Sequence, residues 1–423
     1  MRALARALPW ALASVLLLPA VAGASGFGVF QHGGRATAQA GAWTARADDP
    51  SAVTYNPAAI AWLDGWQLQA GLDFSTPKDT YRSASGGFTA QHDINFPPAL
   101  YLTWKPDRNR PYAFGLGFDS PYWYRKNWFP REFPGRFLGR IDEAELWEVH
   151  PVAAWKLDDH WSVGGGLRWV FGSLQAGTNA LVRDTSGATR EDEVLADAHG
   201  TGWAFDLSAN YRETIWGFGA ELRSAAKVSG TADVAATRRD STLTLPVGVG
   251  QATTPLAGFR KQSFELAPEA RVGAWLAPYP ELRFELDLAY AAWSRTGNRS
   301  SYFAGGLAGA TLVTRDRNWQ DTLSLRFGVE GNLNDALMLS GGIALEPSPV
   351  PSDTLDPGFP RGDAVVYALG GSYTVGGVSF DAGYSFHQHS GRSASGQELL
   401  QPGASGRYTA NDQVFSLSAR WKF

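Results

Sequence analysis

Residues 202–223 read GWAFDLSANYRETIWGFGAELR, and both halves of this stretch alternate apolar residues with polar or small ones. The apolar positions are Trp203, Phe205, Leu207, Ala209 and Tyr211 in the first half and Trp216, Phe218, Ala220 and Leu222 in the second. A period of two is typical of a β-strand whose two faces meet different surroundings. The stretch therefore predicts an antiparallel hairpin whose strands are longer than the ~5–6 residues usual in soluble proteins.

The same alternation recurs along the chain. It predicts fourteen strands, near 66–76, 98–105, 111–120, 143–156, 161–174, 200–212, 215–224, 263–276, 282–293, 319–332, 336–346, 364–374, 378–387 and 413–423. Short turns alternate with long polar segments between these strands, as in outer-membrane barrels with an apolar outside and a polar inside. We predict an all-β fold, a 14-stranded antiparallel transmembrane β-barrel formed by residues 66–423.

The composition narrows the function classes. The chain has 423 residues, of which 18% are charged, with a net charge of -4 and no Cys. A mean hydropathy of -0.21 argues against a bundle of membrane-spanning helices. The small net charge offers no basic surface for nucleic acid. Without Cys there is no disulfide and no thiolate metal site, and no cofactor is expected.

The N-terminal segment predicts secretion. Arg2 and Arg6 precede an uncharged stretch that ends in Ala22-Gly23-Ala24. This is the pattern of a signal peptide, residues 1–24, cleaved before Ser25; an uncleaved helical anchor is the alternative. Together with the barrel it predicts the outer membrane of a Gram-negative bacterium. The closing strand ends in Phe423, the type of terminus that the barrel assembly machinery recognises.

Residues 25–65 lack long alternation and precede the first strand. We predict that they form a plug, or hatch, inside the lumen. Apolar residues such as Phe27, Phe30 and Trp43 would be unfavourable in a solvated periplasmic tail, which is the alternative. A barrel of this size without a plug would leave an aqueous channel.

The run Ala47–Ala59, ADDPSAVTYNPAA, resembles the N-terminal signature of the FadL/TodX family of outer-membrane transporters. Shorter similarities follow in order, at Pro98–Tyr101, Phe133–Arg136 and Pro347–Pro351. The resemblance implies a monomeric barrel with an N-terminal hatch and a hydrophobic cargo. That cargo would be long-chain fatty acids or, as in TodX-like relatives, aromatic hydrocarbons. It also implies lateral release into the membrane of lipid and lipopolysaccharide.

Candidate ligand contacts fall into two groups. Inward-facing arginines could bind a fatty-acid carboxylate, since a guanidinium pairs with it bidentately; our candidates are Arg168, Arg326 and Arg271. The alternative is that these cations belong to a structural network of paired charges. The resemblance implies that residues 175–199 and 225–262 form an external capture groove. Apolar candidates there and in the plug are Leu245, Val247, Phe259, Phe27 and Phe30.

Residues 121–131, PYWYRKNWFPR, predict an external loop that could hold an acyl chain against rings and its carboxylate beside a cation. An aromatic belt at the membrane interface is the alternative.

The gate is predicted from two prolines. Pro57 in Asn56-Pro57-Ala58 fixes its own backbone and restricts Asn56. Pro121 in Asp119-Ser120-Pro121 cannot donate to a strand ladder, so it predicts a break in the third strand. We predict that Asn56 contacts the barrel wall near this break; a plain turn that closes the plug is the alternative.

Other function classes have less support. The spacing of His387 and His389 resembles a metal pair but lacks a nearby third ligand, and no Gly-x-Ser-x-Gly elbow occurs. We therefore predict a transporter and not an enzyme. A general porin, a structural or adhesive barrel and an outer-membrane lipase remain as alternatives.

Overall fold

The computed structural model describes residues 32–423, apart from positions 85, 92, 93, 108, 130, 131, 184–188, 239–260, 305–310 and 395–404. The described chain is built mainly of β-strands, numbered here in chain order. They are β1 Gly65–Ser83, β2 Gly86–Ala90, β3 Pro98–Lys105, β4 Tyr112–Phe129, β5 Ile141–Lys156, β6 Trp161–Arg183, β7 Thr189–Arg212, β8 Trp216–Arg223, β9 Ala226–Arg238, β10 Lys261–Leu266, β11 Glu269–Tyr279, β12 Leu282–Ala291, β13 Arg299–Ala304, β14 Thr311–Asp316, β15 Thr322–Asn332, β16 Leu337–Glu346, β17 Ala364–Val375, β18 Val378–His389, β19 Arg392–Ala394 and β20 Gly406–Lys422.

Fourteen of these strands close into one antiparallel barrel. Their order around the wall is β1, β3, β4, β5, β6, β7, β8, β11, β12, β15, β16, β17, β18 and β20. β20 pairs back with β1, from Gln67 opposite Lys422 to Arg82 opposite Arg407. The predicted fold and number of strands are confirmed.

The two faces of the wall differ as the alternation predicts. On β7, the outward Trp203 and Leu207 are 61% and 60% exposed, whereas the inward Asp206 and Asn210 are buried. Such an apolar outer face suits lipid, and the polar inner face suits a lumen filled by other parts of the chain. No helix in the described part of the chain is long and apolar enough to cross a membrane.

Several strands continue well beyond the predicted bounds. β6 has 23 residues and β7 has 24, whereas ~9–11 suffice to cross a bilayer. The prediction of a loop over residues 121–131 is wrong for 121–129, because β4 runs on through Phe129, and positions 130 and 131 lie outside the described residues. Much of the predicted external segments 175–199 and 225–262 is also strand, in β6, β7 and β9. Outside the membrane both faces meet polar surroundings, so the ladder continues where the apolar alternation ends.

The predicted strand 263–276 is divided. β10 pairs with β9, and β11 pairs with β8 and β12. The division falls at Ala267 and Pro268, where proline has no N–H to donate to a ladder.

Candidate functional site

Residues 32–64 fold inside the barrel as a compact hatch. They contain helices Gly34–Ala38 and Ala52–Tyr55 and a 3-10 helix Pro57–Trp62, and almost every residue is buried. Small residues bring this backbone directly against the wall. If Gly34 carried a Cβ, that atom would clash with the wall, because it would lie 2.7 Å from the backbone carbonyl carbon of Asp381 on β18. On the opposite wall, a Cβ on Gly164 would lie 2.7 Å from the Ala58 nitrogen.

Two carboxylates on β12 bind the hatch backbone. Asp287 Oδ2 accepts the N–H groups of Trp43 at 2.9 Å and Thr44 at 2.8 Å. Glu285 Oε1 accepts the next two, from Ala45 at 2.7 Å and Arg46 at 3.2 Å. Four successive backbone donors are thus satisfied by two buried acids, which are strong acceptors when ionised.

A third carboxylate, Glu330 on β15, binds two hatch arginines. Arg35 Nη2 lies 2.9 Å from Glu330 Oε1, and Arg46 Nη2 lies 2.8 Å from Oε2. The two guanidinium groups both lie over the Trp43 ring, each with its carbon 4.6 Å from the ring centroid. The buried charges are thereby paired across the boundary between hatch and wall, and removing one partner would leave the others uncompensated.

The Asn-Pro-Ala motif faces β6 and β7. Asn56 Nδ2 donates to the carbonyls of Thr44 at 2.8 Å and Ala209 on β7 at 3.2 Å. The Ala58 N–H donates to Ser208 Oγ at 2.8 Å, and its carbonyl accepts from Ser162 Oγ at 2.8 Å. Pro57 is the first residue of the 3-10 helix, where its missing N–H costs nothing. Asn56 therefore contacts the barrel wall, as predicted, but its contact is on β7, and the predicted place of this contact, near the break in the third strand, is wrong.

The third barrel strand, β4, does contain an irregularity at Asp119-Ser120-Pro121. Its pairing with β5 shifts register between Asp119 and Tyr122. Its pairing with β3 ends at Phe118, its pairing with β2 begins at Trp128, and just before β2 pairing the Asn127 carbonyl accepts a hydrogen bond from the Gln91 N–H. Among the described residues, positions 119–126 therefore have no ladder partner on the β3 side. We call this stretch the β4 break.

The hatch reaches the β4 break through two side chains. His32 lies with Nε2 2.8 Å from the Ser120 carbonyl oxygen and Nδ1 2.8 Å from Asp73 Oδ2 on β1. Thr54 Oγ1 donates to Asp119 Oδ2 at 2.6 Å, and the same oxygen accepts from Tyr101 at 2.8 Å. Burial lowers the pKa of His32, but Asp119 and Asp73 outweigh this effect and raise that pKa to about 9. Sequence reasoning missed these residues, although Asp73 stands at an inward position of an alternating strand.

An aromatic cluster lies next to the break on the external side. Tyr122 and Tyr124, which lie within the β4 break, pack on Phe264 and Phe359 with ring centroids 4.7 and 4.9 Å apart. Its other large buried members are Tyr81, Trp128, Phe133, Trp293, Trp319, Leu355 and Tyr408. These buried side chains form one predominantly apolar cluster.

Charged groups border this aromatic cluster. Arg361 lies 3.0 Å from Asp79 and 2.6 Å from Asp412, and Lys126 pairs with the same Asp79. The Lys126 ammonium also lies 5.4 Å from the centroid of the Tyr124 ring.

The three predicted carboxylate-binding arginines face inward but are paired. Arg168 lies 2.7 Å from Glu148, Arg326 lies 3.1 Å from Glu346, and Arg271 lies 2.6 Å from Glu269. A ligand carboxylate would have to share each guanidinium with a glutamate. The other predicted ligand contacts, Phe27, Phe30, Leu245, Val247 and Phe259, lie outside the described residues. The described part of the chain contains no group of three or more His, Asp or Glu residues placed to hold a metal ion.

The closed lipid-facing barrel, its internal hatch and the break in one wall strand are the features of an outer-membrane transport barrel. A family model described as outer membrane protein transport protein (OMPP1/FadL/TodX) matches residues 15–423. The chain belongs to this family, which confirms the resemblance found in its sequence.

Individual relatives agree with this assignment. The chain is 23% identical over 367 residues to the long-chain fatty acid transport protein of Salmonella typhi, covering 80% of this chain and 82% of the relative. Over 380 residues it is also 23% identical to the protein of that name from Escherichia coli K12, with the same coverage.

Solved structures share the fold. A FadL homologue of Pseudomonas aeruginosa superposes with a TM-score of 0.78 at 20% identity, covering 94% of this chain and 100% of that one. The toluene transporter TodX of P. putida gives a TM-score of 0.68 at 16% identity, covering 93% and 99%.

Proposed function

We propose that the protein takes up long-chain fatty acids across the outer membrane and releases them sideways into it. The observation that carries this proposal is the β4 break, whose Asp119 and Ser120 contact the hatch and whose Tyr122 and Tyr124 belong to the external aromatic cluster. A fatty acid would bind to the aromatic cluster, pass Tyr124 and Tyr122, and leave through the wall beside Ser120. Lateral release spares an acyl chain the polar periplasmic half of the lumen, where the hatch is bonded to the wall.

The names of the relatives support the fatty-acid cargo, since the curated proteins are called long-chain fatty acid transport proteins. The remaining parts of the proposal rest on the patterns found in the amino-acid sequence. Residues 1–24 are removed on secretion, residues 25–65 form the hatch domain and residues 66–423 the barrel. The mature protein is a monomer whose assembly uses the Phe423 terminus, and its outer face contacts membrane lipid and lipopolysaccharide.

Aromatic hydrocarbons are the second candidate cargo. One structural relative is titled a toluene transporter. The pairing of Arg168, Arg326 and Arg271 with glutamates also favours an uncharged ligand, because a carboxylate would have to compete for each cation. The two cargoes differ in this requirement for a cation.

Uptake of radiolabelled oleate and toluene should be measured in cells that lack their own transporters for these compounds. Oleate uptake that depends on the protein would support the proposal. Toluene uptake without oleate uptake would instead indicate that the cargo is an aromatic hydrocarbon.

The path is tested with a fatty acid that carries a photoreactive group at its apolar end. Adducts mapped by mass spectrometry to Tyr122, Tyr124 and Ser120 would support lateral release. Adducts on Pro57–Trp62 and the turn 157–160 would indicate an axial path through the hatch and contradict it.

A further inference from the structure

His32 bridges two strands of the barrel wall from inside the lumen. Its Nδ1 faces the carboxylate of Asp73 on β1, and its Nε2 faces the backbone carbonyl of Ser120 in β4, both at 2.8 Å. A carbonyl oxygen can only accept a hydrogen bond, so Nε2 carries a proton. An ionised Asp73 also only accepts, so Nδ1 carries a second one. The geometry therefore fits a doubly protonated imidazolium ring.

The groups around His32 favour its positive charge. The acids that face it are Asp73 from β1 and Asp119 from β4. Tyr101 from β3 donates to Asp119, and the Tyr55 hydroxyl of the hatch donates to the His32 carbonyl at 3.2 Å. His150 on β5 also interacts electrostatically with Asp119. Two carboxylates thus surround one buried ring at the point where the ladder of β4 is interrupted.

We infer that His32 is a proton-dependent latch, which holds the hatch against the β4 break while its ring carries both protons and releases this edge of the hatch when one is lost. This inference rests on the proposed function, because it concerns the movement that would open the lateral path. The latch lies on the side of the hatch away from the Glu285, Asp287 and Glu330 contacts. Its release would move one edge of the hatch without expelling the whole.

The direction of the pH effect follows from proton linkage. The pKa of His32 is about 9 in the closed latch and would return to an ordinary value near 6.5 in water. The closed latch therefore binds the proton more tightly. Its stabilisation is fully present below pH 6.5 and is lost as the pH rises through 9. Between these limits the ratio of closed to open hatch should fall by up to about tenfold per pH unit.

Because the natural chain contains no Cys, a single introduced thiol can report how accessible the hatch is to solvent. Ala36→Cys places a single thiol in the helix Gly34–Ala38, where Ala36 is 2% exposed. The full-length protein in detergent is reacted with a water-soluble maleimide from pH 5.5 to 9. Each rate is divided by the rate for the same protein denatured at that pH, because thiol reactivity itself depends on pH.

The normalised rate should rise at least tenfold between pH 6.5 and 8.5 with His32 present. His32→Gln should label rapidly and without this rise, because Gln has no proton that titrates in this range and its two N–H donors share one nitrogen, so they cannot replace both Nδ1 and Nε2. The matched control is His160→Gln in the exposed turn after β5, where the His160 side chain is 49% exposed; it should keep the wild-type profile. Asp73→Asn, which keeps the side-chain shape, should shift the rise to lower pH. Heat-modifiable gel migration checks that each barrel is folded.

A flat wild-type profile, or one that His32→Gln leaves unchanged, would overturn the latch. The assay contains no fatty acid, so its failure is separate from that of the proposed function. Oleate uptake together with a flat profile would keep the transporter and discard the latch. A latch profile without oleate uptake would keep the latch on a channel for another cargo.

Discussion

The hatch is bound to the barrel wall by different kinds of contact on two sides of the lumen. Towards β12 and β15, Glu285, Asp287 and Glu330 bind four backbone N–H groups and two arginines. Towards β1 and β4, the contacts at the break come from His32 and Thr54. We call these the anchored side and the latch side. The first uses several charge-assisted hydrogen bonds, whereas the second depends on a ring that can lose its charge.

This difference indicates how a plugged barrel could transport without losing its plug. Several hydrogen bonds to buried carboxylates must break together for the anchored side to separate, and each exposed group would be costly to leave unpaired. On the latch side, the loss of one proton from His32 removes one of its two hydrogen bonds to the wall. We therefore expect the hatch to move at the latch side first, next to the β4 break, while the anchored side stays in contact with the wall.

The largest effect is expected from Glu330→Leu on the anchored side. It removes the acid that Arg35 and Arg46 share, and breaking a buried ion pair typically costs about 3–5 kcal/mol. Hydrogen exchange measured by mass spectrometry should show loss of amide protection across residues 33–64. Barrel strands should stay protected, because their ladder bonds do not involve Glu330.

The control for this change is Asp335→Ala in the exposed turn between β15 and β16, which should leave exchange unaltered. Glu330→Gln keeps an acceptor and should give an intermediate loss. Unchanged hatch protection in Glu330→Leu would contradict the description of this side as anchored.

Asp287→Ala should have the next largest effect. It leaves the N–H groups of Trp43 and Thr44 without their acceptor, at about 1–3 kcal/mol for each buried unsatisfied group. Exchange at these two amides should accelerate most, and Asp287→Asn, which retains an acceptor oxygen, should restore much of the protection. Equal exchange in the two variants would show that the carboxylate oxygen is not what protects these amides.

Comparison of the barrel with the hatch shows how much the sequence can predict. All fourteen wall strands were predictable, because each has lipid on one face and polar groups on the other along its membrane-crossing length. Their external ends were not, since the Tyr122–Phe129 part of β4 pairs as strand without that contrast. The partners of Asn56 and His32 depend on how the hatch is oriented inside the closed barrel, and no local pattern specifies that orientation.

Asn56→Ala should have a smaller effect than the changes on the anchored side. The Asn56 amide donates to Thr44 within the hatch and to Ala209 on β7, so its loss weakens the hatch itself and one contact with the wall. At about 1 kcal/mol for a typical hydrogen bond, we expect a partial loss of hatch protection and reduced oleate uptake. Surface abundance should equal that of wild type. Wild-type uptake in this variant would leave the motif with the role of a turn.

The smallest effect on docking is expected from Thr54→Val on the latch side. Valine keeps the shape of threonine but cannot donate to Asp119, which still accepts from Tyr101. The loss should therefore be about 0.5–1.5 kcal/mol, the range for a single hydrogen bond.

Because Thr54 and His32 contact neighbouring residues of one strand, this small loss should nevertheless raise Ala36→Cys labelling near pH 7 several-fold. Asn56→Ala, which removes contacts away from the latch, should change that labelling less. If Thr54→Val and Asn56→Ala raise labelling equally, the hatch loosens as a whole and the two sides do not act separately.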